Sequence, residues 1–434
     1  MNKIKIEKKQ DSGKKMYSLM ERLYPLTRSI TGNGTRQTLN IIKEYIPIII
    51  NEVPTGTPVF DWIIPKEWNI TDAYVKNSKG ERVIDFKKNN LHVLSYSQPV
   101  NTKMTLEELK PHLYTLPEQP DVIPYMTTYY KEGWGFCLSH QSFSGLKEDM
   151  YEVVIESTLS QGSLTYAELY IKGETKDEII FSSYICHPSM CNDNLSGPVL
   201  LTALVEGMIG KKHRYSYRFL LVPETIGALA WLSRNDNNLA SVKGGLVITC
   251  VGDSGDMTYK RSKQGDAYID KVVEKVLRDT GSPHKVIDFF PMGSDERQFC
   301  SPGFNLPMGS LVRTLYGCFP EYHTSADDLD FVKAEYLEDS LMRYREVVEV
   351  LEWNETYINQ SSKGEPRLDK RGLYRAIGIK TNTKMEEAIL WTLSFSDGQY
   401  SLLDIANRSS MSFALIKEAS MQLVEHGLLK TKTD

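Results

Sequence analysis

Two histidines and a few acids stand where this chain could do chemistry. His187 follows the apolar run EIIFSSYIC, and Asp193 comes six residues later, between Asn192 and Asn194. Glu224 follows YRFLLVP, Asp253 lies in TCVGDSG after another apolar run, and His323 lies in FPEYHTSADD beyond NLPMGSLVR. Imidazole nitrogen and carboxylate oxygen together suit a borderline metal such as zinc. A short loop after His187 can fold back so that His187 and Asp193 aim at one ion. The flanking asparagines tolerate the unusual backbone angles such a loop needs, and Gly197 lets the next helix pack closely. The plainer alternative is a helix cap at Asp193 or Asn194 with an uninvolved histidine. The like placement of Glu224 and His323 favours the metal. Glu224 either caps a helix or accepts a proton from a water beside the metal, as a zinc hydrolase requires. Asp253 is a ligand, a carboxylate behind a ligand, or a turn residue.

Other reactive side chains carry less. Cys186 should point away from His187 on a pleated strand and so into the core. His92, His112, His140, His213, His284 and His426 lack acidic company at strand ends. Within GSDERQF (293–299), Asp295, Glu296 and Arg297 only solvate a loop, or Arg297 instead holds a substrate carboxylate. YKRSKQGD (259–266) offers similar cations. TRSITGNGTR, with Arg28 and Arg36, is either a tight connector or a site loop.

These residues need a scaffold that brings strand ends together. From about residue 130, apolar runs alternate with helical patterns. YEVVIESTL and LTYAELYIKG read as a hairpin. EIIFSSYIC, YRFLLVP, GGLVITCV and NLPMGSLVR read as buried strands, and helices are expected at 198–210, 227–234, YIDKVVEKVLRDTG and KAEYLEDSLMRYREVVEVLEW. That alternation argues for an α/β domain with a mostly parallel sheet flanked by helices, whose sites form at strand carboxyl ends. Residues 16–50 read as two helices around the glycine loop. Residues 54–129 read as short strands broken by Pro, Asn and Gly, an inserted small β domain with Trp62 and Trp68 in its core. NQSSKGEPRLDKRG (359–372) reads as a linker. Beyond it, three short helical patterns and an expected terminal hairpin resemble a winged helix-turn-helix. The division expected is 1–53 with 130–355 for the α/β domain, 54–129 for the insertion and 370–434 for the winged helix.

Composition excludes some roles. The 434 residues are 41% hydrophobic and 25% charged with net charge −5, so no bulk attraction to nucleic acid or membrane is implied. No apolar run reaches membrane-span length. The amino-terminal stretch is charged without an apolar core, unlike a signal peptide. Six cysteines without CxxC spacing fit a reduced, cytoplasmic setting. The expected recognition helix, SFALIKEASMQLVEHG, offers Lys417 against Glu418 and Glu425, so strong nucleic-acid binding is not expected.

The motifs NDNLSG (192–197) and YHTSADD (322–328), in these strand contexts, resemble the zinc aminopeptidase superfamily that includes bacterial leucyl aminopeptidases and glutamate carboxypeptidase. The resemblance covers roughly residues 16–50 and 130–355. The inserted β segment and winged-helix tail resemble its aminopeptidase-like branch, sometimes labelled as polysaccharide-biosynthesis proteins. The resemblance implies His187, Asp193 and His323 as metal ligands and Glu224 as general base. It also exposes two departures. The family's paired glutamates are here Glu224 and Thr225, and its D-M-x-G becomes Thr249, Cys250, Val251 and Gly252, so two acidic ligands are missing. The expectation is a zinc-dependent hydrolase of amide bonds, an aminopeptidase, with one zinc per chain and a peptide or small amide as substrate. The alternatives are a deacylase of amino sugars or small amides, and a ligand-binding regulator with a degenerate peptidase-like domain. Contacts between copies are expected to use the insertion or the winged helix.

Overall fold

The computed structural model describes residues 12–373 and 383–432. Most of the charged amino-terminal stretch read above lies outside them, as do 374–382 near the start of the expected tail domain. The chain divides into two compact units. One runs up to Ile269 and resumes over Lys285–Met342; the other comprises Asp270–His284 and the chain from Arg343 onward.

The first unit is built on an eight-stranded sheet. Its four middle strands, in the order Ser216–Val222, Glu178–Tyr184, Val242–Val247 and Met308–Val312, are parallel. Every residue of Glu178–Tyr184 and Met308–Val312 is buried, which is why these strands read as unbroken apolar runs rather than alternating ones. Ser163–Ile171 and Ile49–Pro54 extend one edge antiparallel, and Met257–Lys260 and His284–Ile287 form the other edge. From Glu178–Tyr184 the chain passes through the helix Ser196–Met208 to the neighbour on one side. It then passes through the helix Ile226–Asn235 to the neighbour on the other. The direction of winding thus changes between the carboxyl ends of Glu178–Tyr184 and Val242–Val247, the crevice where open α/β sheets bind ligands.

The expected hairpin does not form. Met150–Ser160 and Ser163–Ile171 are consecutive but lie in different sheets. The first sits between Glu67–Lys76 and Val100–Thr105 in a four-stranded antiparallel sheet, and the second joins the large one. Gly162 makes the crossing: a Cβ there would stand 2.3 Å from the Glu67 carboxylate. The strands of 54–129 therefore share a sheet with Met150–Ser160, which lies outside that segment. Trp68 is buried, with its indole N–H on the Ser97 carbonyl at 2.8 Å. Trp62 is not core, contrary to expectation: it is 37% exposed and packs edge-on against Tyr130.

In the second unit, helices Lys384–Phe395, Leu402–Ser409 and Phe413–Glu425 begin at Thr383, Ser401 and Ser412. Each of these side chains accepts a backbone N–H of the first turn. The expected terminal hairpin is instead a three-stranded sheet. Asp397–Ser401 and Leu429–Thr431 both pair with Thr356–Asn359, which ends where the expected linker begins. That strand has four residues and only Tyr357 is buried, too little for a readable apolar pattern. Lys275 Nζ donates to the Met411 carbonyl at 2.6 Å, and Phe413 N–H to Asp279 at 2.7 Å, tying the helices to Tyr268–Thr280. Among the described residues, no helix is long and apolar enough to cross a membrane.

Candidate metal centre and proton acceptor

The strand Glu178–Tyr184 stops two residues before its apolar run does, so Cys186 and His187 both lie in the following loop. Cys186 is buried, and its sulfur accepts the Glu224 N–H at 3.3 Å. The glycine loop near the amino terminus braces the other side. Arg28 Nε donates to the His187 carbonyl at 2.8 Å, and Ser189 Oγ to the Tyr24 carbonyl at 2.9 Å. That loop therefore touches the His187 backbone through Arg28. Arg36 instead pairs with Glu67 at 2.6 Å.

Residues 191–195 are a kinked turn leading into the helix Ser196–Met208, and the Asp193–Asn194 peptide bond is cis. Asp327 holds this turn by accepting the N–H groups of Asn192 at 2.6 Å and Asp193 at 2.8 Å. Asn192 gives its side-chain amide to Asp253 at 2.8 Å and takes the Gly252 N–H at 2.9 Å. A Cβ on Gly197 would sit 2.3 Å from the Ile248 carbonyl oxygen, so only glycine lets the helix approach the sheet this closely.

The turn aims Asp193 at the histidines. Ligand atoms of His187, Asp193 and His323 all lie within 4.8 Å of one another. Asp193 Oδ2 and His323 Nε2 are 3.0 Å apart, and the Asp193 Oδ1 accepts the Tyr184 hydroxyl. Neither Asp193 Oδ2 nor His323 Nε2 completes a directed hydrogen bond, and His187 Nδ1 has no partner either. Two buried, unsatisfied atoms facing each other beside a third buried ring, Asp193 Oδ2 and His323 Nε2 next to His187, are costly unless something binds them. Burial lowers His187 to a pKa of about 4, so it is neutral near pH 7. Burial opposes ionisation of Asp193, but the two histidines and Tyr184 outweigh it and hold the carboxyl at about 2. Two imidazoles and one carboxylate are a donor set that fits zinc.

Glu224 lies beside this set, its Oε2 3.6 Å from His187 Nε2. Burial, then the charges of Asp295 and Asp193, raise its pKa well above the usual carboxylate range. Thr225 does not face the histidines through a hydrogen bond. Its N–H goes to Asp295 Oδ1 at 2.7 Å, and its hydroxyl accepts from Arg297 Nη2 at 3.2 Å. Thr249 Oγ1 lies 2.7 Å from the Tyr184 hydroxyl. Asp253 turns away. Its oxygens take Asn192, the Gly255 N–H at 2.7 Å and the Thr314 hydroxyl at 2.6 Å, and it belongs to no metal-competent group among the described residues.

A family profile described as a domain of unknown function, DUF4910, matches residues 17–354. The chain belongs to the DUF4910 family. A winged helix-turn-helix profile matches residues 355–431, a span that includes the Thr356–Asn359 strand. A Clostridium acetobutylicum protein, provisionally named a polysaccharide biosynthesis protein with an aminopeptidase-like domain, is 57% identical over 426 residues, 98% of each chain. A crystal structure of a provisionally described peptidase from Clostridium acetobutylicum shares 56% identity, with a TM-score of 0.93 over 97% of each chain. The zinc aminopeptidase BSAP of Bacillus subtilis is 10% identical, with a TM-score of 0.58 over 80% of this chain and 96% of its own. At that identity the likeness concerns the fold, which the chain shares with zinc aminopeptidases.

Three residues of this DUF4910 chain escape the sequence reading. Asp327 stands inside YHTSADD, but its spacing from Asn192 hides the contact. Tyr184 looks like one more apolar strand residue. Tyr125, from the segment 54–129, places its ring 5.3 Å from that of His187 and 5.2 Å from that of His323, edge-on to both. Its N–H donates to the His323 carbonyl at 2.7 Å. Nothing in its sequence context marks it.

Proposed function

We propose that this chain is a zinc-dependent hydrolase of amide bonds, of the aminopeptidase type. The observation that carries the reading is the grouping of ligand atoms of His187, Asp193 and His323 within 4.8 Å of one another, with Asp193 Oδ2 and His323 Nε2 buried and unsatisfied, beside the raised-pKa carboxylate of Glu224. His187, Asp193 and His323 would hold one zinc, which when bound supplies a Lewis acid for an amide carbonyl and for water. Glu224 Oε2 takes the proton from the attacking water and returns it to the leaving nitrogen. Its raised pKa brings it nearer neutrality, where one carboxylate can both accept and donate. Tyr184 fixes the Asp193 carboxylate through Oδ1, and Arg28 fixes the His187 backbone. Tyr125 covers the two imidazoles and limits access of bulk water.

The test is turnover by the zinc-loaded protein on peptides with free amino termini and, because of the wording of the relative's name, on N-acylated amino sugars. Release of free amino acids supports the reading. Turnover of the sugars alone would move the assignment to a deacylase. Absence of any amide hydrolysis would remove it.

A further inference from the structure

Glu224 belongs to a second group of metal-competent atoms. The Cys186 sulfur, a His187 ring nitrogen and a Glu224 carboxylate oxygen lie within 4.8 Å of one another. His187 Nε2 and Glu224 Oε2 are 3.6 Å apart. Cys186 and His187 are buried, and the Glu224 side chain is 27% exposed, so an ion reaches the group from the Glu224 side. On a pleated strand Cys186 and His187 would point to opposite faces. The strand ends at Tyr184, and in the loop that follows both side chains come to Glu224. The Glu224 N–H donates to the Cys186 sulfur at 3.3 Å, a contact that favours a thiolate there.

This group differs from His187, Asp193 and His323 in softness and in charge. The first set brings one carboxylate and two imidazoles, so a bound dication keeps one positive charge. Cys186 as a thiolate and Glu224 as a carboxylate cancel a dication's charge, and a neutral complex is the least costly to bury. Burial keeps the free Cys186 thiol protonated. Zinc finds ready nitrogen and oxygen ligands in the first set. A softer dication bonds more strongly to sulfur and displaces the thiol proton. A soft monocation, copper(I), would leave the group with a net negative charge.

We infer that Cys186, His187 and Glu224 form a binding site for a soft dication of the cadmium type, and that its occupation stops the hydrolase by capturing Glu224. The binding stands on the three residues alone, and the inhibition rests on the hydrolase reading. As the ion enters, the Cys186 S–H bond breaks, its proton passes to solvent and a cadmium–sulfur bond forms. No electron is transferred. A Glu224 carboxylate coordinated to the cation no longer accepts a proton from water.

Cadmium chloride titrated into the dialysed full-length protein tests this through the ultraviolet charge-transfer band of thiolate-bound cadmium. Cys318 is exposed and the other cysteines are buried, so Cys318→Ser is the reference protein. Its band should reach a plateau near one cadmium per chain. Adding Cys186→Ser should abolish the band. Adding Glu224→Gln should keep the band and weaken cadmium about 10-fold or more. Adding His323→Ala should keep the band, because the ion does not use that side chain. In the zinc-loaded protein, cadmium should stop amide hydrolysis at concentrations that leave the Cys186→Ser protein at its own rate. No band in the reference, a band that survives Cys186→Ser, or one lost with His323→Ala overturns the site. If Cys186→Ser does not fold, the Glu224→Gln and His323→Ala titrations decide it. A band with undiminished hydrolysis overturns the capture of Glu224. A band in a protein that cleaves no amide even without cadmium keeps the site and removes the hydrolase reading. Hydrolysis without a band does the reverse.

Discussion

Asn192 donates its side-chain amide to the Asp253 carboxylate at 2.8 Å, and this pair fixes the turn that carries Asp193. Asp253 is 2% exposed and also receives Gly255 and Thr314. Its carboxylate is fully engaged in shaping the turn, so it is not free to swing toward His187 and His323. Asp253→Ala would orphan the Asn192 amide and the Thr314 N–H in the interior, which costs about 2–4 kcal/mol of stability. Zinc per folded chain should stay the same. Thermal unfolding with metal analysis of the folded fraction checks both. Loss of zinc without loss of stability would make Asp253 a ligand after all.

Glu224→Gln removes the group that carries the proton while keeping size and shape. The His187, Asp193 and His323 atoms are untouched, so zinc should remain bound and kcat should fall ~10²–10⁴-fold. Undiminished turnover in the zinc-loaded variant would take Glu224 out of the mechanism.

Arg28 is 1% exposed, has no carboxylate partner, and spends Nε on the His187 carbonyl. Burial lowers its pKa to about 10, so the guanidinium still carries its charge. Arg28→Met should keep the bulk and lose the brace. With His187 less well positioned, zinc affinity should weaken roughly 10- to 100-fold, as for other groups that orient metal ligands. Competition with a chromogenic chelator measures this, and an unchanged zinc Kd would confine Arg28 to a packing role.

The four parallel strands are legible in the sequence, although their apolar runs outlast them as at Cys186, because strands buried on both faces are mostly apolar and polar residues appear where the chain emerges. That is why His187, Glu224 and His323 stand out. What each strand pairs with is not legible. The alternation in Met150–Ser160 is equally compatible with a hairpin and with the separate sheet it joins, and only the crossing at Gly162 decides. The direction of a carboxylate is likewise hidden. Asp193 and Asp253 both follow buried strands, yet one faces the histidines and the other faces Asn192 and Thr314, a partner 61 residues away in sequence. Thr356–Asn359 escapes notice because most of it is exposed.

The winged helix should not hold duplex DNA strongly. On Phe413–Glu425 the basic side chain is Lys417, and its ammonium is paired with Glu349 at 2.6 Å and lies over the Trp353 ring. Phosphate tracking needs several free cations on one face. A gel shift with the full chain at moderate salt should show no complex at micromolar protein. A salt-sensitive complex there would reassign the domain.

The number of metal ions follows from how Asp193 spends its two oxygens. A carboxylate bridging two dications needs one oxygen for each. Here Oδ1 accepts the Tyr184 hydroxyl, which also contacts Thr249, and only Oδ2 is left without a partner. The two positions where the resemblance leads one to look for further acids hold Thr225 and Thr249. Thr225 is turned to Asp295 and Arg297, so neither threonine restores the missing negative charge. The remaining set near Glu224 includes Cys186, and burial raises that thiol well above its usual pKa, leaving it protonated and a poor ligand. Two close dications would therefore repel with too little compensation. The expected value after dialysis is one zinc per chain, lost in His323→Ala. Tyr184→Phe frees Asp193 Oδ1 and should raise the capacity for a second ion at high zinc, if Tyr184 is what blocks it. A wild-type protein that retains two zinc ions per chain through dialysis would show that Asp193 bridges despite Tyr184, and the one-metal reading would be wrong.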